Sequence, residues 1–205
     1  MKRICVLLLS VLVLTAVKAQ EFHAGLTLGA AVSQVDGDKM SGFHKIGLQG
    51  GVFITQQLSK HSAWQGEILF VNKGSGIESN PNPDFRVEIS SYYIDFGLYY
   101  KYLYNQNVNF KIGLVPSVFI SSKESVAGIE QPEIAPYRKF NLLFSAGLEY
   151  YFNDHWFVSA DFNYSIISFR KGKAIISDYN SVFFHFIFEN GQYYNYLKFS
   201  LGYKF

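Results

Sequence analysis

Beyond its first nineteen residues the sequence has no cysteine, the single one being Cys5. Disulfides and thiolate-held metals are therefore excluded from the rest of the chain. After residue 20 it also lacks any stretch apolar enough, over about 20 residues, to cross a membrane as a helix, and any convincing 3.6-residue periodicity. Runs of basic residues are missing too. The formal charge of +2 arises from Lys2, Arg3 and Lys18; without residues 1–19, fifteen basic residues face sixteen acidic ones. Nucleic acid is accordingly not an expected partner. Tryptophan is scarce, 2 residues against 15 Tyr and 20 Phe. These rings favour strands, and the hydroxyl of Tyr suits a membrane–water boundary.

Patterns of catalysis and ligation are absent as well. The five histidines are His23, His44, His61, His155 and His185. No His-x-Ser pair lies on one strand face, and neither a metal-ligand spacing nor a phosphate-cradling glycine loop occurs. The reading is no enzyme, no metal and no cofactor. Gly25 and Gly29 fit close strand packing.

What the sequence does contain begins with a positive start, Lys2-Arg3, and an apolar run from Ile4 to Val17 broken only by Ser10 and Thr15. Val17-Lys18-Ala19 is an imperfect small-residue cleavage site before Gln20. The expectation is a secretory signal over 1–19 and one domain over 20–205. From there period-two alternation recurs, which turns successive side chains to opposite faces of a strand. It marks Phe22–Ala30, Ile46–Ile54, Trp64–Val71, Tyr92–Tyr102, Phe110–Ile120 (with Pro116 as a flaw), Leu142–Phe152, Val158–Ile166 and Tyr194–Phe205. The last strand sets Asn195, Leu197, Phe199, Leu201, Tyr203 and Phe205 on one face and Tyr196, Lys198, Ser200, Gly202 and Lys204 on the other.

The connections alternate in length. Short ones fall near 57–61, 105–107 and 153–155, and long ones near 34–43, 74–87, 122–138 and 170–191. All short turns then lie at one end of the sheet, the pattern of periplasmic turns and long outer loops. Trp64, Tyr102, Tyr104, Phe152, Trp156, Tyr203 and Phe205 would form an aromatic belt near the short turns. Tyr92, Tyr93, Phe119, Tyr137, Phe140, Phe169, Tyr193 and Tyr194 would form a second near the long loops. These features predict an all-β fold, an eight-stranded antiparallel up-and-down transmembrane β-barrel in the bacterial outer membrane, both termini periplasmic. The competing count is ten strands.

The face opposite the lipid band carries Glu67, Asp95, Glu149 and Asp161 with Lys73, Lys101, Lys111 and Lys198. An eight-stranded ring is just wide enough to be filled by side chains, so these charges are expected as a paired polar core. The carboxylates should share partners among Lys101, Lys111 and Lys198. The expected partners outside the ring are outer-membrane lipid and the barrel-insertion machinery, for which Gly202, Tyr203 and Phe205 are the assembly signal. Val182–Phe188 is apolar on both faces and precedes Asn190-Gly191, a strong hairpin signal. It is expected as an exposed hairpin paired with the start of the last strand, offering Phe183, Phe184, Phe186 and Phe188 to a protein partner at the outer loops.

Two stretches carry a family resemblance. Gln65-Gly66-Glu67-Ile68-Leu69-Phe70, followed by Asn72-Lys73-Gly74, resembles a Gln-Pro-Glu-Leu-Leu-Tyr…Lys-Gly motif. Tyr93–Tyr102 resembles Tyr-Leu-Glu-Ile-Pro-Leu-Leu-Leu-Lys-Tyr. Both belong to the PorT-like outer-membrane β-barrel family of the Bacteroidetes; Gly66 and Gly97 stand where that family usually has proline. The resemblance implies a barrel of about eight strands and, through the founding member, an accessory role in protein secretion. Without it, the residues imply an interaction barrel working through its outer loops, or a narrow pore.

Overall fold

The computed structural model describes residues 22–38, 40, 42–78, 86–132, 136–171 and 191–205. Its elements are β1 (Phe22–Asp36), β2 (Lys45–Ser59), β3 (Ser62–Glu78), β4 (Arg86–Leu103), β5 (Val108–Val126), β6 (Ile129–Gln131), β7 (Phe140–Tyr151), β8 (Trp156–Ser165), β9 (Arg170–Lys171) and β10 (Gly191–Lys204). Eight of them pair antiparallel in the order β1-β2-β3-β4-β5-β7-β8-β10, and β10 pairs back onto β1. That closing seam runs from Gly25 opposite Lys204 to Asp36 opposite Tyr193. The ten-strand count is overturned, because β8 bonds directly to β10, with Asn195 opposite Tyr164, leaving no place for another strand between them.

Alternation assigns the two faces. Leu28, Leu48, Phe96, Leu98, Phe144 and Leu201 point outwards and are exposed, whereas Glu67, Asp95, Lys111 and Lys198 point inwards and are buried. Apolar outside and polar inside is the pattern of a barrel whose solvent is lipid. Gly29 sits on β1 where an added Cβ would collide with the Phe199 carbonyl oxygen across the seam. Pro116 has no amide hydrogen. The β4–β5 ladder skips from Ser117 opposite Asp95 to Leu114 opposite Leu98, while the other edge keeps Pro116 opposite Leu142.

Several expected loops are strand. A membrane crossing takes about 9–11 residues, yet β5 has 19. The surplus lies at the end of the long connections. β3 and β4 stay paired out to Glu78 opposite Arg86, so most of the flanks of the expected 74–87 loop belong to a hairpin. Likewise β5 continues to Val126 and turns back as β6 inside the expected 122–138 loop, and β1 runs to Asp36 inside the expected 34–43 loop. Beyond the lipid the outer face is wet and the inner face is buried but polar, with Ser75, Ser91 and Glu124 on it. Small polar residues such as Ser75, Gly76, Ser121 and Ser122 then satisfy a strand while imitating loop composition.

The first aromatic belt is on the outer face: Trp64, Tyr102, Tyr104, Phe152, Trp156 and Phe205 are exposed beside the short turns. The second is corrected. Phe140 is exposed, but Tyr93, Tyr137, Phe169, Tyr193 and Tyr194 are buried, and Phe119 packs with them inside the ring. Strand parity explains Tyr93, which shares the inward face of Asp95, and Tyr194, which shares that of Lys198; Tyr137 and Phe169 lie outside the strands, and Tyr193 is buried against the parity.

The β5–β6 turn holds Ala127 and Gly128 both at positive φ, 52° and 77°. Two such residues define the mirror-image hairpin turn, in which Asn is favoured over Ala at the first position. Ala127→Asn is expected to stabilise this hairpin by about 0.5–1 kcal/mol. Slower amide exchange at Val126 and Ile129, with an unchanged barrel melt, is the measurement that checks it.

Candidate functional site

The interior is built in layers from the short-turn end upwards. Lowest is a small aromatic cluster, Phe53, Tyr151 and Phe157, with ring centroids 4.8 Å apart for Tyr151–Phe157 and 5.5 Å for Phe53–Phe157. An added Cβ on Gly202 would run into the Phe157 ring, so the glycine of the closing strand is there to admit that ring. Tyr203 lies on the outer side and packs edge-on against Trp156 and Phe205, at 4.9 and 5.7 Å.

Above the cluster lies a charge lattice of three carboxylates and three ammonium groups. Lys101 pairs with Glu149 at 2.5 Å and donates to Gln65 Oε1 at 2.8 Å. Lys111 reaches Glu67 at 3.0 Å, Asp161 at 3.1 Å and Glu149 at 3.5 Å. Lys198 reaches Glu67 at 3.1 Å and Asp161 at 3.5 Å. Gln65 Nε2 donates to Glu67 at 2.7 Å. The Tyr99 ring lies beneath two of the cations, 4.8 Å from Lys111 Nζ and 5.8 Å from Lys198 Nζ. All six charged side chains are buried, and equal numbers of opposite charges avoid the several kcal/mol that an unpaired buried ion costs.

Asp95 does not join this lattice, contrary to expectation. It stands further along the inward face and pairs with Lys73 at 3.0 Å. Tyr196 donates to its Oδ2 at 2.9 Å, and Ser117 donates to its Oδ1. Lys73 also donates to Ser117 at 3.1 Å and lies 4.4 Å from the Tyr93 ring centre.

Next comes a closed circuit of five rings. Phe119 stacks on Tyr137 at 4.8 Å, Tyr137 on Phe169 at 5.5 Å, and Phe169 on Tyr194 at 3.9 Å. Tyr194 meets Tyr93 edge-on at 5.5 Å, and Tyr93 returns to Phe119 at 5.4 Å. Over it, Arg170 pairs with Glu124 and lies 4.2 Å above the Tyr137 ring, whose hydroxyl donates to Glu124 at 3.0 Å. Burial raises the Tyr137 phenol above its usual value. In these layers each of the six charges, and Asp95 with Lys73, has an opposite charge within 3.5 Å. Among the described residues no group of three or more His, Cys, Asp and Glu could hold a metal.

The sequence reading sets Tyr196 on the polar face of the last strand and Tyr99 in step with Asp95, but gives neither, nor the ring circuit, a part in the interior. The signal was present in parity: Tyr93 and Tyr99 alternate in step with Asp95 and Lys101, Phe119 with Lys111, and Tyr196 with Lys198. Arg170 and Glu124 had no such signal, since they meet over a ring that only the folded wall assembles. Phe183, Phe184, Phe186 and Phe188, within the expected Val182–Phe188 hairpin, lie outside the described residues. The start of the closing strand finds its partner in β9, with Gly191 opposite Lys171.

Comparison with known proteins joins this geometry to a family. The profile of the family described as "Outer membrane protein beta-barrel domain" matches residues 18–170. The chain belongs to that family. It is a β-barrel protein of the bacterial outer membrane. Among solved structures, Neisserial surface protein A is 12% identical, with a TM-score of 0.51, and the match covers 90% of this chain and 97% of that one. The attachment invasion locus protein Ail of Yersinia pestis is 15% identical, with a TM-score of 0.49 and 90% and 99% covered. OprG of Pseudomonas aeruginosa is 11% identical, with a TM-score of 0.39 and 90% and 94% covered. No protein of curated function matches the sequence.

Two outcomes follow for this outer-membrane barrel. Lys73→Met and Asp95→Leu should each destabilise by about 3–5 kcal/mol, because each strands the other charge, while the double substitution costs less than their sum. Urea unfolding of the four members of the cycle in lipid measures this. The second concerns Asp38, beyond β1. It is 3% exposed and accepts from the Met40 amide at 2.8 Å. Burial pushes its carboxyl up to about 7 from an ordinary 3.8. The native state therefore holds a proton that the unfolded state releases, so this contribution to stability is complete at acid pH and declines as pH rises from about 4 to about 7. Asp38→Asn should flatten the dependence, read as the unfolding midpoint at several pH values across that window.

Proposed function

We propose that this protein is a non-conducting interaction barrel that works through the strand ends and loops at its long-connection end. The observation that carries the reading is the layered interior. Charge pairs, an aromatic circuit and the Arg170–Glu124 pair fill the ring from wall to wall, as expected of eight strands. With the described interior filled in this way, the usable surface is outside: the β3–β4 and β5–β6 hairpins, with Phe183, Phe184, Phe186 and Phe188 as the candidate contact for a protein partner. Residues 1–19 act as a secretory signal, the mature chain begins near Gln20, and both termini face the periplasm. Outer-membrane lipid surrounds the wall, and the barrel-insertion machinery reads the Gly202–Phe205 end.

A second reading is an accessory of protein secretion, supported by the PorT-like resemblance. One observation bears on it. The resembling stretches supply Gln65, Glu67 and Lys73, and Tyr93, Asp95, Tyr99 and Lys101, all of which pack the interior. Their chemistry serves the barrel's core, so the interaction reading stands first and the secretion role is one form of it.

The purified barrel in planar bilayers should show no stepwise conductance. Single cysteines replacing Ser79 and Phe184 on intact cells should both react with a membrane-impermeant thiol reagent, and one replacing Asn105, in the short β4–β5 turn, should not. Steady single-channel current would overturn the closed lumen, and the reverse labelling pattern would overturn the orientation.

A further inference from the structure

At the short-turn end the ring opens into a cavity of about 430 Å³. Its lining includes Lys60, Lys204, His23, His61 and, at its floor, Lys101, and contains no Asp or Glu. The positions are fixed by the wall. His23 is near the start of β1, Lys60 and His61 form the β2–β3 turn, and Lys204 ends β10. Lys101 is committed to Glu149 and Gln65 below. Lys60 and Lys204 form no ion pair among the described residues, and Lys204 Nζ stands 5.6 Å from the Tyr151 ring centre. The lattice carboxylates deeper in the bore are neutralised by lysines of their own layer, so the described lining carries net positive charge from Lys60 and Lys204 inside a concave wall, where such fields are focused.

We propose that this mouth is a binding site for a phosphate-bearing small anion. Its volume falls in the range of small-molecule sites, about 300–1,000 Å³. The lining has no arginine fork, which would favour planar, bidentate recognition; lysine ammonium groups act as point charges and reward the anion of higher charge. That selects a phosphomonoester or pyrophosphate over a carboxylate monoanion. The phosphate can belong to a soluble molecule, which carries this higher charge, or to a phospholipid headgroup at the adjoining membrane surface, whose phosphodiester carries a single charge and gains only from its place beside the mouth. Placing the site in the periplasm rests on the orientation proposed above; the binding itself does not.

Pyrophosphate and acetate titrated calorimetrically into the full-length barrel in zwitterionic detergent test the proposal. Pyrophosphate is expected to bind at least about tenfold more tightly than acetate, and the Lys60→Ala/Lys204→Ala variant to weaken it about tenfold. Lys60→Arg/Lys204→Arg should restore binding, which separates charge from damage to the fold. Native mass spectrometry from micelles containing phosphatidylglycerol distinguishes the sources. Retention of that lipid by the wild type but not by the alanine variant assigns the phosphate to a headgroup, and pyrophosphate binding without retention assigns it to a soluble ligand. Absence of both, equal affinity for acetate, or binding unchanged in the alanine variant would overturn the site. Thiol labelling of Ser79 and Asn105 variants tests the orientation separately.

Discussion

Hydrocarbon offers no hydrogen bonds, and the rest of this structure follows from that. Each backbone amide within the membrane must find a partner in the wall, so the sheet has to close, and the pairing of β1 with β10 closes it. Closure at eight strands fixes a narrow bore. The bore then admits only side chains, and those side chains sit in a medium with little water. Charge inside such a space survives only in neutral sets. This is why acids and lysines come in matched numbers, and why glycine appears at positions 29 and 202, where a neighbouring strand or ring occupies the space of a Cβ.

Much of this is legible in the sequence, for a physical reason. Where lipid touches one face and the bore the other, residue type must alternate, so strands through the membrane and the inward set of Glu67, Asp95, Lys101, Lys111, Glu149, Asp161 and Lys198 can be read by parity. Outside the lipid the outer face meets water and the buried inner face is itself partly polar, with Ser75, Ser91 and Glu124 on it, so both faces take polar residues and the alternation fades. The outer reaches of β3, β4 and β5 therefore have the composition of loops. The aromatic belt at that end fails differently. Rings near a membrane boundary suit either the lipid surface or the bore, and composition does not separate these; the parity of Tyr93, Phe119 and Tyr194 does.

Partner choice within the bore is the least legible part. Asp95 belongs to Lys73, and Arg170 to Glu124, because strand tilt sets which inward positions meet across the ring. Tilt depends on the stagger of all eight strands together, a quantity that no local pattern of residues contains.

The lattice joins distant parts of the chain: Lys198 on the closing strand meets Glu67, 131 residues earlier. Without that strand Glu67 and Asp161 keep only Lys111, and three carboxylates share two lysines. A charge left over in this way resists dehydration. Neutrality of the bore and closure of the wall therefore depend on the same strand.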